Sequence, residues 1–210
     1  MPPSQHLGRH SIMPRILLPA ALLLAVLLTA CTQDSAVRDL EGRRIGELDW
    51  QPIAANKARL SITDDRARVL SRERVELHSR YMERWSLEGG HLVYEALVSG
   101  GFGAESKTPA YLHRLYGDDP ALKRQGVGFD ANDVRIRQDL TFVVAHSKRV
   151  TCFVFVSVFG EASLAQSAGD QLLRGGICQP VQTGDPAGND LDFIRILENL
   201  RVSGKPILRE

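Results

Sequence analysis

The sequence lacks the short motifs that mark the commoner catalytic and nucleotide-binding sites. It contains no G-x-S-x-G turn, no H-E-x-x-H zinc motif, no P-loop and no C-x-x-C pair. The histidines beyond the N-terminal region are scattered, with no two at a metal-ligand spacing on one predicted element: His78, His91, His113 and His146. The sequence therefore predicts no catalytic residue, no metal site and no cofactor.

An excess of charge of one sign is also missing. The chain carries 26 lysines and arginines against 25 acids, for a net charge of +1. Six arginines lie between Arg66 and Arg84, but Glu73, Glu76 and Glu83 are interleaved with them. Since nucleic-acid-binding proteins usually gather a basic excess on one face, we expect no nucleic-acid partner and interpret this stretch as a solvated surface.

No apolar run is long enough to cross a bilayer as a helix. The uncharged run at residues 16–30 has 15 residues and includes Pro19, whereas a spanning helix needs about 20 apolar residues. Secretory signals have apolar segments of about 7–15 residues behind a basic start, which Arg9 and Arg15 supply here. The run therefore predicts a targeting segment.

The run ends on Leu28, Thr29, Ala30 and Cys31. These residues, with the basic start and short apolar segment, resemble the lipobox of bacterial lipoproteins, in which an aliphatic and two small residues precede an obligatory cysteine. The resemblance covers 31 residues and implies a diacylglycerol on Cys31 and cleavage between Ala30 and Cys31. A second or third acyl chain would make the membrane anchor stable. The alternatives are an ordinary signal peptide cleaved elsewhere and an uncleaved anchor.

The resemblance also predicts a location and a domain organisation. Thr32 replaces the aspartate that commonly retains such lipoproteins at the inner membrane, which favours the outer membrane facing the periplasm. We expect a signal peptide at residues 1–30, a lipidated tether at 31–39 and a single domain at 40–210. One domain fits the 180 residues that would remain after cleavage.

Two pairs of segments predict β-hairpins. Residues 134–145 and 150–159 are rich in β-branched and aromatic side chains and are separated by a polar group, and the second segment, apolar on both faces, predicts a central strand. An earlier pair turns at Glu88, Gly89 and Gly90. Its arms mix polar and apolar residues, so we expect them nearer an edge or with one wet face.

Two segments carry helix signals. Thr108 as N-cap, Pro109 at the first position and Gly117 past the end predict a helix between the hairpins. Near the C-terminus, an apolar stripe predicts an amphipathic helix lying across the sheet: Leu191, Phe193, Ile194, Ile196, Leu197 and Leu200. The predicted fold is a single α+β domain, with a largely antiparallel sheet of two hairpins and a short strand under this helix.

The other two cysteines form an even pair. Export would place Cys152 and Cys178 in an oxidising compartment, where we expect them to form a structural disulfide. The region from Cys152 to Val202 also resembles the C-terminal parts of uncharacterised bacterial envelope lipoproteins, a resemblance that implies no activity.

One glycine-rich segment is a candidate binding loop. Gly100, Gly101, Phe102 and Gly103 follow a predicted strand and precede the helix at Thr108, where backbone amides can bind an anion. The other interpretation is a tight exit from the strand, with Phe102 packed beneath it.

The sequence thus predicts an envelope lipoprotein with a binding or assembly role and no catalysis. It would have the membrane as a partner through Cys31, and an envelope protein as a possible second partner. The alternatives are a hydrolase acting on an envelope polymer and a carrier of a small apolar ligand. A pocket with converging polar groups would favour the hydrolase, and a deep apolar cavity between sheet and helix would favour the carrier.

Overall fold

The computed structural model describes residues 48–117, 119–161, 167–181 and 193–207, all within one compact unit of the chain. The described strands are β1 Gln51–Pro52, β2 Leu60–Ile62, β3 Val69–Leu77, β4 Arg80–Leu87, β5 Gly90–Leu97, β6 Phe102–Gly103, β7 Arg135–Arg137, β8 Leu140–His146, β9 Val150–Phe159, β10 Ser167–Gly169, β11 Gln171–Pro180, β12 Leu200–Val202 and β13 Lys205–Pro206. The described α-helices are α1 Pro109–Tyr116, α2 Pro120–Arg124 and α3, residues 193–198.

A single large antiparallel sheet dominates the molecule. Its eight strands follow the order β1-β3-β4-β5-β11-β9-β8-β7, while β13-β12-β2 and β10-β6 form two smaller sheets. Strand β11 lies between the two hairpins and pairs with β5 on one side and with β9 on the other. Its pairing with β5 aligns Gln171 with Ala96 and Ile177 with Gly90. The centre of the sheet therefore depends on a contact between segments that are distant in sequence.

The predicted α+β fold class is wrong, because the described chain is mostly β. The predicted C-terminal amphipathic helix covering the sheet is wrong as well: the helical residues described there are 193–198, and the chain enters strand β12 at Leu200. Leu200, which helical spacing assigns to that helix, instead pairs with Ile62 of β2. Leu191 lies outside the described residues, as do residues 1–30, the tether at 31–39 and Cys31 itself.

Both predicted hairpins are present. β8 and β9 pair with each other, and β9 spans the predicted residues 150–159. β4 and β5 pair around Glu88 and Gly89, where Gly89 has a φ of +81° that glycine adopts readily. The expectation that this hairpin lies near an edge or has a wet face is wrong, because β4 and β5 are interior strands with mostly buried residues.

The two faces of the large sheet carry different apolar clusters. On the first face, Trp85, Tyr94 and Phe155 pack with residues of β2, α3 and β12 in the largest cluster. On the second face, a cluster of β8, β9 and β11 residues packs against α1 and α2, while Val75, Met82 and Val93 pack with Leu48 in a smaller one. Because side chains alternate along each strand, the interior strands bury residues on both faces.

Helix α1 begins and ends where the sequence predicts. The Thr108 side chain accepts a hydrogen bond from the Tyr111 backbone N–H at 3.2 Å, Pro109 occupies the first turn, and Gly117 is the C-cap. Leu112 is fully buried on the face turned to the sheet. No helix within the described ranges is long and apolar enough to span a membrane.

Candidate functional site

The predicted disulfide between Cys152 and Cys178 is confirmed. The two residues are directly opposite on β9 and β11, with Cα atoms 4.0 Å apart. The Cys178 backbone N–H donates to the Gly89 carbonyl, on the side of β11 that faces β5. Cys152 and Cys178 therefore form a non-hydrogen-bonded pair of the antiparallel β9–β11 ladder. Side chains are closest at such positions, and the bond links two interior strands.

The glycine-rich segment lies in a small two-stranded sheet. Phe102 and Gly103 form β6, which pairs with β10, and the half-buried Phe102 packs against the second-face cluster. A Cβ added at Gly101 would collide with the Ser167 side chain, and one at Gly103 would collide with the Glu105 carboxylate. A carboxylate of the chain itself therefore lies beside the predicted anion loop, whose binding role stays a prediction.

A buried ion network crosses the second face of the large sheet. Arg80 donates to Glu95 at 2.7 Å, and the Arg174 Nε lies 3.5 Å from the other oxygen of the same carboxylate. All three side chains are less than 10% exposed. Because these three side chains are buried, we assign them a structural role, in which they link β4, β5 and β11.

A second buried carboxylate, Glu83, organises the first face. Its oxygens accept hydrogen bonds from the backbone N–H groups of Arg59 and Leu60, at 2.5 and 3.1 Å, and from the Tyr81 hydroxyl and the Trp85 indole N–H, at 2.5 and 3.2 Å. The carboxylate thereby ties the chain entering β2 to the large sheet. Burial, followed by the neighbouring Glu83 carboxylate, raises the pKa of Tyr81 well above its ordinary value.

A half-open groove with apolar and polar lining lies on the first face. It has a volume of about 600 Å³ and lies between the β7–β8 end of the large sheet and residues 194–206. Its apolar lining consists of Leu140, Phe142, Phe153, Ile194, Leu197 and Pro206. The Phe153 ring lies 5.5 Å from that of Phe142 and 5.4 Å from that of Phe193, measured between centroids. This groove, called the first-face groove below, is the candidate functional site.

The rim of the first-face groove is mainly cationic. Arg137, Arg201 and Glu198 line it. The register places Arg137 opposite Leu140 and Arg135 opposite Phe142, so both arginines share the face of these apolar residues. Both are exposed, and within the part of the chain that the structure describes neither forms an ion pair. The Arg201 Nη1 donates to the carbonyl oxygens of Glu198 and Leu200, which fixes that guanidinium at the end of α3.

Sequence reasoning missed the first-face groove and its arginines. The alternation Arg135-Ile136-Arg137 just before a turn was the available signal, since two residues apart on a strand means one face. The pairing of β12 with β2 also helps to form this side of the molecule, and the sequence pattern alone did not indicate that pairing.

The histidines and acids that the structure describes do not converge on a metal site. Among the described residues, no three histidine, cysteine, aspartate or glutamate side chains form a group able to hold a metal ion. His91 packs near Tyr116 and His113 near Phe129, with ring centroids 6.0 and 5.8 Å apart. These two histidines therefore contribute to packing.

No family model, no curated protein and no solved structure matches this chain.

Proposed function

We propose that the chain is a lipid-anchored envelope protein whose β domain acts by binding. Supporting the anchor, Leu28, Thr29, Ala30 and Cys31 close a short apolar segment behind a basic start. One structural observation carries the proposal: the disulfide uses Cys152 and Cys178, which leaves Cys31 as the remaining one of the three cysteines for lipid. A disulfide is also typical of exported proteins.

The proposed location is the outer membrane, with the domain facing the periplasm. It rests on the resemblance to the lipobox and on Thr32 in place of an aspartate. In this arrangement the acyl chains on Cys31 hold the protein at the membrane, and residues 31–39 separate the lipid from the domain.

Two binding roles are compatible with the fold, and the first-face groove favours one of them. The first role is assembly with an envelope protein. The second is transport or storage of a small apolar ligand, for which a groove of about 600 Å³ falls within the usual size range of small-molecule sites, roughly 300–1,000 Å³. Its apolar lining supports the carrier role.

A hydrolase acting on an envelope polymer is the alternative from a different class. Polar groups with shifted pKa values converging in a pocket would favour it. In the described residues, the Arg66 side chain lowers the pKa of Asp64, and burial raises those of Tyr81, Tyr94 and Tyr111. None of these residues lines the first-face groove.

The test of the anchor is Cys31→Ser, followed by separation of membranes from soluble envelope contents. The expected result is a protein that no longer carries lipid and keeps residues 1–30, because the resemblance makes lipid attachment precede cleavage. Cys152→Ser is the matched control and should leave lipidation unchanged. Normal processing of the Cys31→Ser protein would contradict the proposal.

A further inference from the structure

The first-face groove combines an apolar floor with a cationic rim. Phe142 and Ile194 are half-buried, so part of each side chain reaches the groove, while Leu140, Phe153 and Leu197 beneath them are almost completely buried. An apolar chain placed here would remove the exposed parts of these side chains from water, which is favourable in proportion to the area buried.

The charged residues at the rim determine which head group the ligand can carry. Arg137 and Arg201 line the groove with a single acid, Glu198, among the described lining residues. Arg135 lies beside Arg137 on the same face of β7. Arg135 and Arg137 lie two residues apart on one strand, about 7 Å along it. Guanidinium groups bind carboxylates through two parallel hydrogen bonds, so the rim complements an anionic head group.

We infer that the first-face groove binds a single-chain anionic amphiphile of the fatty-acid class, with its chain on Phe142 and Ile194 and its carboxylate at Arg135 and Arg137. One chain suits the volume of about 600 Å³. Arg135 and Arg137 are exposed, so a charged head bound there keeps contact with water. This inference rests on the proposed binding role, as a carrier, and is independent of the anchor on Cys31.

The probe is palmitate carrying a photoreactive diazirine, added to the full chain in neutral detergent micelles. After illumination, mass spectrometry of peptides should place the label in the segments containing Leu140 to Phe142 and Ile194 to Leu197. Unlabelled palmitate should remove the label. Hexadecanol has the same chain and no charge, and should compete at least about tenfold less well because its hydroxyl cannot form the bidentate ion pair that a carboxylate forms with a guanidinium. Equal competition, or label spread over other segments, would overturn the inference.

Two charge-reversal double variants distinguish binding at the rim from general electrostatic attraction. Arg135→Glu with Arg137→Glu should reduce labelling about tenfold, because the head group loses its charge-assisted hydrogen bonds. Lys148→Glu with Arg149→Glu makes the same charge change in the exposed β8–β9 loop and should leave labelling unchanged. The inference fails if the two double variants behave alike.

A steric pair tests the floor without a change of charge. Ile194→Trp should fill the groove and reduce labelling, whereas Ile136→Trp, at an exposed position on the opposite face of β7, should not. Thermal unfolding that matches the parent protein shows that each variant is folded. Normal labelling of a folded Ile194→Trp protein would contradict the proposed ligand position.

Other occupants give different outcomes. If a second copy of the chain fills the groove, illumination of a photoreactive residue at Gln138 gives a cross-linked dimer. If residues 182–192 fill it, label appears only after their replacement by a glycine–serine segment of the same length. Either result would overturn the fatty-acid inference. Because lipid on Cys31 is measured separately, with the Cys31→Ser protein, the inference can fail while the proposed anchor stands.

Discussion

At the scale of single residues, buried polar groups carry much of the specificity of this fold. Glu83 is fully buried and accepts four hydrogen bonds, two from side chains and two from the backbone. Burying a carboxylate costs free energy unless its oxygens accept hydrogen bonds, and here each oxygen accepts two. Glu83 lies in a mixed-charge stretch that we interpreted as solvated. Its buried role was not visible in that stretch because two of its donors come from positions 23 and 24 residues away.

Replacing Glu83 by glutamine should destabilise the domain by about 2–5 kcal/mol, because an amide NH₂ would then face two of the four donors. Urea unfolding measures this loss. Glu88→Gln, at an exposed position whose oxygen is 3.9 Å from Arg68, is the control and should change stability by less than about 0.5 kcal/mol. A Glu83→Gln protein as stable as the control would show that the carboxylate is not a structural centre.

Removing the disulfide should also lower stability. The bond closes a loop between residues 26 positions apart, and losing a native disulfide from a small exported domain typically costs about 2–5 kcal/mol. Cys152→Ala with Cys178→Ala avoids a free thiol and should shift the urea midpoint down. Addition of reductant should lower the midpoint of the parent protein and leave that of the double variant unchanged. A parent protein insensitive to reduction in its unfolded state would contradict this account.

The buried tyrosines predict a loss of stability at alkaline pH. Burial raises the pKa values of Tyr81, Tyr94 and Tyr111 in the folded protein, while tyrosines of the unfolded chain ionise near pH 10. The contribution of these tyrosines to the free energy of unfolding is therefore complete below about pH 10. It is lost as the pH rises from there through the pKa values of the folded protein. The urea midpoint should fall above that pH, and less steeply in Tyr81→Phe. Tyrosinate absorbance that rises at the same pH in folded and unfolded protein would disprove the shift.

At the scale of elements, local signals predicted the hairpins and α1, and non-local pairing decided the rest. The β8–β9 and β4–β5 turns and the cap at Thr108 depend on neighbouring residues, so the sequence pattern was sufficient. Strand β12 was misassigned because Leu200 continues a helical spacing, whereas its partner Ile62 is 138 positions earlier. The β12–β13 turn uses Ser203 and Gly204, both with positive φ, as a two-residue hairpin of type I′ requires.

Leu197 tests the role of α3 in the first-face cluster. It is 1% exposed, and Leu197→Ala should cost about 2–5 kcal/mol, as truncations of buried leucines do. Arg195→Ala, at an exposed position of the same helix, should have little effect. Chemical denaturation gives both values. A neutral Leu197→Ala protein with α3 still folded would mean that this helix is an exposed binding surface.

At the scale of the whole molecule, the sequence predicted the disulfide but not the architecture. The cysteines predicted the disulfide because export, once inferred, leaves Cys152 and Cys178 as a pair. The eight-stranded order could not be predicted, since it depends on the register between β5 and β11. The first-face groove was missed for a related reason: Phe142 and Ile194 meet only after the sheet and the C-terminal residues have packed.

The most direct test of the central claim is the intact mass of the protein purified from bacterial envelopes, before and after reduction. The account predicts a chain that begins at Cys31, carries a diacylglycerol and at least one further acyl chain, and gains the mass of two hydrogens on reduction of the Cys152–Cys178 bond. A chain that retains residues 1–30, or that begins at Cys31 with an unmodified thiol, would contradict the claim.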